Sequence, residues 1–531
     1  MSSRLWPACI AGAAALCLSA SAQIEDSGLQ MVDPWGMGFL EAGEPVLPAS
    51  MWRASSTQTL LPMMRDVPTQ ALTPAERTLM RRMALSPANA PQGAESAELL
   101  AERARILFEL GEARPAASLM ARLDTPPPGM DSDEIATDLN LALGNEAMAC
   151  TENTGAVREG AYWAMLRAVC AALRDNTAGA ELAIEMAMSQ GVDDRWLTSA
   201  VFAASGDLPN PPEARYDSGI ALAISAKAAL APPGTPLSPA RPDLAAAMVA
   251  RPGLPPAKRA EAAAIAAEAG LIDVAAWRQV LDSLFEDPDF TPETPIEIAI
   301  ATARNAAMPP DGRADALAAA LKAAAVNPAR FAAVASVLSP ELTNLSLTKD
   351  TASHAGLLAR AAIAANDMEG AMLWTLVPSL DEAPETRPFD LTMIHALAVL
   401  AGTGDANEIG ARLVSDAATN KDDRKAAARL FTLWTMAGTP PPPTARALMA
   451  TDSEAPGKTV KPGHILAILA AADAGAAGEV ILGSVALTHG DPSKLDAADL
   501  ALIGMALQKI GAGDAAAALA LEATGYWRAG K

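Results

Sequence analysis

Apolar residues recur along most of this chain at helical spacing, in stretches that halt at a small or turn-forming residue and then resume. Leu100, Ala104, Leu107 and Phe108 form one stripe at i, i+4, i+7 and i+8 before Gly111. Pro115 opens the next stretch, with Ala116, Leu119, Met120 and Leu123 on one face. Trp163, Leu166, Cys170 and Leu173 repeat the pattern, Asp175 punctuates it, and Ala180, Ala183, Ile184 and Ala187 answer from the following stretch. The pattern predicts pairs of antiparallel helices, one after another, from about residue 96 onward.

Aligning the turn residues sharpens the pattern. Gly111, Gly144, Asp175, Gly270, Asn366 and Gly511 each have Ala five positions later, at Ala116, Ala149, Ala180, Ala275, Ala371 and Ala516. Seven positions earlier stands a small residue, at Ala104, Thr137, Ala168, Ala263, Ala359 and Gly504. These are expected to be the places where two helices press closest. Neighbouring turns are 33 and 31 residues apart at the start, and Gly404, Gly438, Gly475 and Gly511 follow at 34, 37 and 36. Pro128, Pro288 and Pro384 sit where the chain must leave a helix.

Small residue, turn glycine, alanine and terminal proline, as in Ala104–Gly111–Ala116–Pro128, resemble the tetratricopeptide repeat (TPR), a helix pair of about 34 residues. The large aromatic residues of that family are mostly missing here, and the turns at Gly404, Gly438 and Gly475 lack the following alanine. The texture also resembles exported, Ala-rich helical-repeat proteins of alphaproteobacteria. The resemblance implies an all-α fold, an α-solenoid of antiparallel helix hairpins (TPR-like) preceded by an irregular N-terminal segment. The expected divisions are a signal peptide over 1–22, an irregular segment over 23–95, disulfide-bearing hairpins over 96–206, a Pro-interrupted helical region over 207–310, and C-terminal helical repeats over 311–531.

The first residues read as a processing signal. Arg4 is the lone charge, an apolar stretch runs from Pro7 to Leu18, and Ala20-Ser21-Ala22 gives a small-x-small cleavage pattern, so cleavage is expected after Ala22 with release into the periplasm. No later stretch is expected to span a membrane. The most apolar, 464–487, is interrupted by Asp473, Gly475, Gly478 and Glu479. In the irregular segment, short helices are expected at 57–65 and 73–83, where Thr73-Pro74-Ala75-Glu76 is a capping pattern. Trp35 and Trp52 lie in the same segment and read either as candidate partner-binding anchors or as residues docked on the protein's own helices.

Composition agrees with helix: 51% of residues are hydrophobic and only 4% aromatic, with Ala supplying much of the apolar share. With 40 basic and 62 acidic side chains the formal net charge is −22, a field that repels phosphate backbones and excludes nucleic acid as a partner. Removing the signal leaves two cysteines, Cys150 and Cys170. An even pair in an oxidising compartment predicts a disulfide, provided the turn between their helices lies near 157–160.

No motif for chemistry emerges. His354, His395, His464 and His489 are dispersed, with no second ligand at helical spacing, so no metal or cofactor is expected. The acidic run Asp131-Ser132-Asp133-Glu134 lacks the glycine and terminal glutamate of a calcium loop, and, like Asp422-Asp423, reads as a helix start. There is no Gly-x-Ser-x-Gly elbow and no phosphate loop. The expectation is therefore a non-enzymatic periplasmic scaffold or adaptor that binds protein partners in a cell-envelope assembly (motility, secretion or wall-associated). The alternatives are a helical accessory part of a peptidoglycan-active enzyme such as a lytic transglycosylase, and a small-ligand binder.

Overall fold

Each expected turn is built by the same backbone device. Gly111, Gly144, Asp175, Gly270, Asn366 and Gly511 all have positive φ, between 59° and 88°. The amide of the next residue reaches back five positions to a helix carbonyl: Glu112 to Leu107, Asn145 to Asn140, Asn176 to Ala171, Leu271 to Ala266, Asp367 to Ala362 and Ala512 to Leu507, all at 2.8–2.9 Å. This left-handed ending satisfies carbonyls that the helix leaves orphaned and turns the chain back. Glycine adopts it without strain, and Asp175 and Asn366 are short polar residues that tolerate it. The same device recurs at Gly438 and Gly475. Around Gly404 it sits two residues earlier, at Gly402, with Thr403 donating to Ala398.

The structure is a computed structural model that describes residues 33–93, 96–152, 158–206, 208–237, 241–251, 253–380, 387–452 and 457–528. The expected signal peptide over 1–22 and residues 23–32 lie outside the described residues, as does Pro384. The fold is all-α: among the described residues 67% are helical, in 26 α-helices and short 3-10 turns, with no strand. No helix among those residues is long and apolar enough to cross a membrane.

Consecutive helices pack in pairs, among them Ser96–Glu109 with Ala113–Met120, Ala161–Leu173 with Thr177–Ser189, Ala355–Ala364 with Met368–Leu376, and Ala497–Lys509 with Gly513–Ala523. The small residues sit at the contacts. Ala104, Ala116, Thr137, Ala149, Ala168, Ala263, Ala359, Ala371 and Ala516 are fully buried, and a methyl group on Gly504 would lie 2.4 Å from Met436 Cγ. Ala275 breaks the rule and is exposed. In that pair Trp277, two positions on, turns to the core and takes up the space a close alanine contact would have used.

Prolines start helices more than they end them. Nine helices carry Pro at the first position, from Pro74 to Pro462, where the missing N–H costs nothing. The four-proline run 440–443 ends in Pro443, which opens helix Pro443–Thr451. Both acidic clusters are helix starts: Asp131 accepts from the amides of Asp133 and Glu134, and Asn420 caps the helix that begins Lys421-Asp422-Asp423.

Cys150 and Cys170 are disulfide-bonded across a helix pair, Glu146–Glu152 and Ala161–Leu173, with Cα atoms 5.6 Å apart. Both are buried. The bond closes a separation of 20 residues, which by loop entropy contributes on the order of 3 kcal/mol. The C150S/C170S variant is expected to lose roughly that much stability. Urea unfolding of the two forms checks it, and an unchanged midpoint would show that the helix pair needs no staple.

The N-terminal segment departs most from expectation. Helices Thr57–Asp66 and Pro74–Leu85 fall where the sequence placed them, the second with a complete capping box between Thr73 and Glu76. The residues before them are not a loose lead-in. Trp35 and Trp52 are 2% and 1% exposed and meet edge to face, with ring centroids 6.4 Å apart. Neither ring is displayed to a partner, so the reading of Trp35 and Trp52 as partner-binding anchors is corrected: both are core residues. Pro34–Lys531 clusters as one compact unit.

Candidate functional site

Two features of this unit gather polar groups from distant parts of the chain: the seam between its first and last helices, and a cavity beside that seam. Helix Pro74–Leu85 packs on Ala477–Thr488 and Gly513–Ala523 as well as on its sequence neighbour Ser96–Glu109. Trp52 presses against Gly478, where an added methyl would fall 1.8 Å from the indole, and the Gly478 amide donates to Met51 O. Only glycine permits that approach.

Two buried carboxyls hold the seam. Glu76 completes its own helix cap through the Thr73 amide at 2.9 Å, and also accepts from the Thr488 hydroxyl at 2.7 Å and the Gly490 amide at 3.0 Å. Glu522 accepts from the Ala75 amide at 2.9 Å across 447 residues of sequence. Burial pushes the Glu522 carboxyl up to about 8; the Thr73 hydroxyl and the Ala75 amide pull the other way, and the charge of Glu76 adds to the rise. Burial likewise raises Tyr526, with the Glu522 charge assisting. Arg82 reaches Asp514 at 3.2 Å on the rim.

Arg103 fastens residues 34–38, which begin with a 3-10 turn at Pro34–Gly36, and the end of helix Pro74–Leu85 to helix Ser96–Glu109. Its guanidinium donates to four carbonyls, Ala84, Trp35, Met37 and Ser86, at 2.8–3.3 Å. The residue is 1% exposed, and burial pushes its pKa down to about 10.

The cavity, about 880 Å³, is lined from the first helices, from residues 241–269 and 326–329, and from residues 489–527. Its wall carries charges of both signs. Arg241 is held by Asp243 at 2.8 Å and Asp138 at 3.4 Å, and stacks over Phe108 at 5.1 Å. His489 Nε2 lies 3.1 Å from Gln70 O. Glu268 accepts from the Asn327 amide group at 2.9 Å. A smaller recess of about 410 Å³, lined by Trp277, Ile265, Leu281 and Ile296 among others, lies between the helices that follow.

Outside these features, helix Thr177–Ser189 shows large apolar side chains to solvent: Leu182, Met186 and Met188 are 58%, 47% and 56% exposed. Leu182 and Met186, four apart, share a face. Among the described residues no group of three or more His, Cys, Asp or Glu is placed to hold a metal ion. His354 instead approaches Asp315 at 2.7 Å.

Of the seam and cavity residues the sequence singled out only Trp52 as a candidate for binding, and that for an outside partner rather than for Gly478. Thr73-Pro-Ala-Glu76 announced Glu76 as a cap, but its second set of donors comes from residues 488–490, which no local pattern connects to it. Compared with known proteins, the chain matches no family model, no curated protein and no solved structure.

Proposed function

We propose that this protein is a non-enzymatic scaffold or adaptor that works outside the cytoplasm, in the periplasm, and holds a protein partner of a cell-envelope assembly on a TPR-like array of helix hairpins. The observation that carries this reading is the exposed Leu182/Met186 pair on one face of helix Thr177–Ser189. Leu182 and Met186, side by side in water on a helix that buries Ala180, Ile184 and Ala187, mark an interaction surface, and methionine suits one that adapts to its partner. Export is supported by the signal pattern of residues 1–22, and an oxidising location by the Cys150–Cys170 bond.

A photo-crosslinking residue at Met186 is expected to trap a discrete envelope protein in intact cells, and one at exposed Lys322 to trap none. Leu182→Glu is expected to reduce the Met186 adduct at least several-fold without changing thermal stability. Identical adduct patterns at the two positions, or an adduct insensitive to Leu182→Glu, would sink the assignment of this surface. A second reading, small-ligand binding, is favoured by the 880 Å³ cavity and leads to the inference below.

A further inference from the structure

Arg77 lines the large cavity from helix Pro74–Leu85. Its aliphatic stem passes Gly270, where an added methyl would stand 3.5 Å from Cδ. Among the described residues its guanidinium has no ion pair and its buried Nε no hydrogen-bond partner. Neither of the two carboxylates that act on it electrostatically forms a hydrogen bond or ion pair with it. Glu268 accepts from Asn327, and Glu112 is bound to Arg81 at 2.6 Å. Arg81 itself adds a second positive charge nearby. Trp527 also lines the cavity, and its indole N–H, buried within the wall, likewise lacks an acceptor among the described residues. The other charged groups of the wall are matched. Arg241 holds Asp243, Lys494 holds Asp491 at 3.1 Å, and Glu109 accepts from Thr69 and Arg105.

An arginine in a half-buried wall is costly to leave uncompensated, because its five fixed donors lose water without gaining acceptors. Burial lowers the pKa of Arg77, more than Glu268 and Glu112 restore it, which agrees with a charge short of a counter-ion. The planar fork fits a carboxylate or a phosphate through two parallel hydrogen bonds. Phe108, Ile265 and Leu72 supply apolar wall for the body of such a molecule, and the volume admits one well beyond a bare ion. We propose that this cavity is a binding site for a small molecule bearing an oxyanion head group, a carboxylate or a phosphate, seated on Arg77. The proposal does not depend on the scaffold reading, which concerns a different surface.

The test uses the purified chain, with sodium succinate and sodium phosphate as probes and sodium chloride at matched ionic strength as the reference. Calorimetric titration and thermal unfolding are read for the wild type, Arg77→Met and Arg77→Lys. At least one of the two anions is expected to raise the melting temperature by several degrees beyond chloride. Which of them does so separates a carboxylate ligand from a phosphate. Arg77→Met is expected to weaken that binding at least tenfold and Arg77→Lys to retain part of it. Without anion, Arg77→Met is expected to melt at or above the wild type, since it removes an uncompensated charge and keeps the stem. The proposal is overturned if neither anion exceeds chloride, if Arg77→Met binds within twofold of the wild type, or if Arg77→Met melts well below the wild type without anion, which would mark Arg77 as a structural partner of Glu268 and Glu112.

Discussion

Replacing Glu522 by Gln is expected to make the protein more stable near pH 8 and to flatten its stability between about pH 4.5 and 8. In the unfolded chain this carboxyl ionises at its ordinary value of 4.5; in the seam it holds its proton up to about 8. Between those values the folded state carries one proton more than the unfolded state, so the wild type loses stability as pH rises. The contribution is fully present below pH 4.5 and fully lost above 8. At 1.36 kcal/mol per pH unit the span is at most on the order of 5 kcal/mol, part of which relaxation of the seam absorbs. The groups around Glu522 are the Ala75 amide, the Thr73 hydroxyl, Tyr526 and the carboxylate of Glu76, so ionisation places a second negative charge beside the first. Gln keeps the acceptor for Ala75 and carries no charge at any pH. Urea midpoints at pH 5, 6.5 and 8 read the effect. If wild type and E522Q show the same slope, the carboxyl does not hold its proton in the folded state and the account of the seam is wrong.

The second large effect belongs to Arg103. Arg103→Met removes the donor to four buried carbonyls while keeping most of the side-chain volume. Each carbonyl stripped of a partner in the interior costs about 1–3 kcal/mol, partly offset because a desolvated charge has gone as well. A net loss of roughly 3 kcal/mol is expected, concentrated in the attachment of residues 34–38. Arg103→Lys is expected to rescue little, since one ammonium cannot span carbonyls arranged around a planar fork. Denaturation gives the magnitude, and limited proteolysis its place: new cleavage is expected between residues 34 and 56. A variant equally resistant there would show that Trp35 and Trp52 hold the segment without the arginine.

What could be read in the sequence was local. The left-handed endings at Gly111, Gly144, Asp175, Gly270, Asn366 and Gly511 follow from the conformational freedom of single residues, and so could be placed by composition and spacing. The same holds for the Thr73–Glu76 cap and for the cysteine pair on neighbouring helices. Pro128 and Pro288 lie beyond helix ends and Pro74 at a helix start, as read; most of the other helix-starting prolines went unread, because fitness for the first position of a helix competes with the role of terminator. Ala275 was misplaced because a periodic rule cannot see that Trp277 claims the core. The fate of Trp35 and Trp52 was open, since irregular spacing is compatible both with a free tail and with residues folded over a partner in the same chain. The seam and the cavity were illegible for a different reason. Their groups come from the beginning, the middle and the end of the chain, and nothing in the neighbourhood of Arg77 or Glu522 announces the residues they meet.

That long reach has a consequence for how the protein is made. Residues 34–85 leave the ribosome hundreds of residues before 477–523, yet Trp52 and helices Thr57–Asp66 and Pro74–Leu85 find part of their cover on those last helices. During synthesis, and during any passage through a secretion channel, the opening segment must wait with its apolar face uncovered, and the closing contacts carry the loop entropy of nearly the whole chain. Assembly should then finish late and in one step, when the final hairpin arrives. Chains stopped short of residue 513 should bind holdase chaperones through the opening segment, at the opposite end from the missing residues.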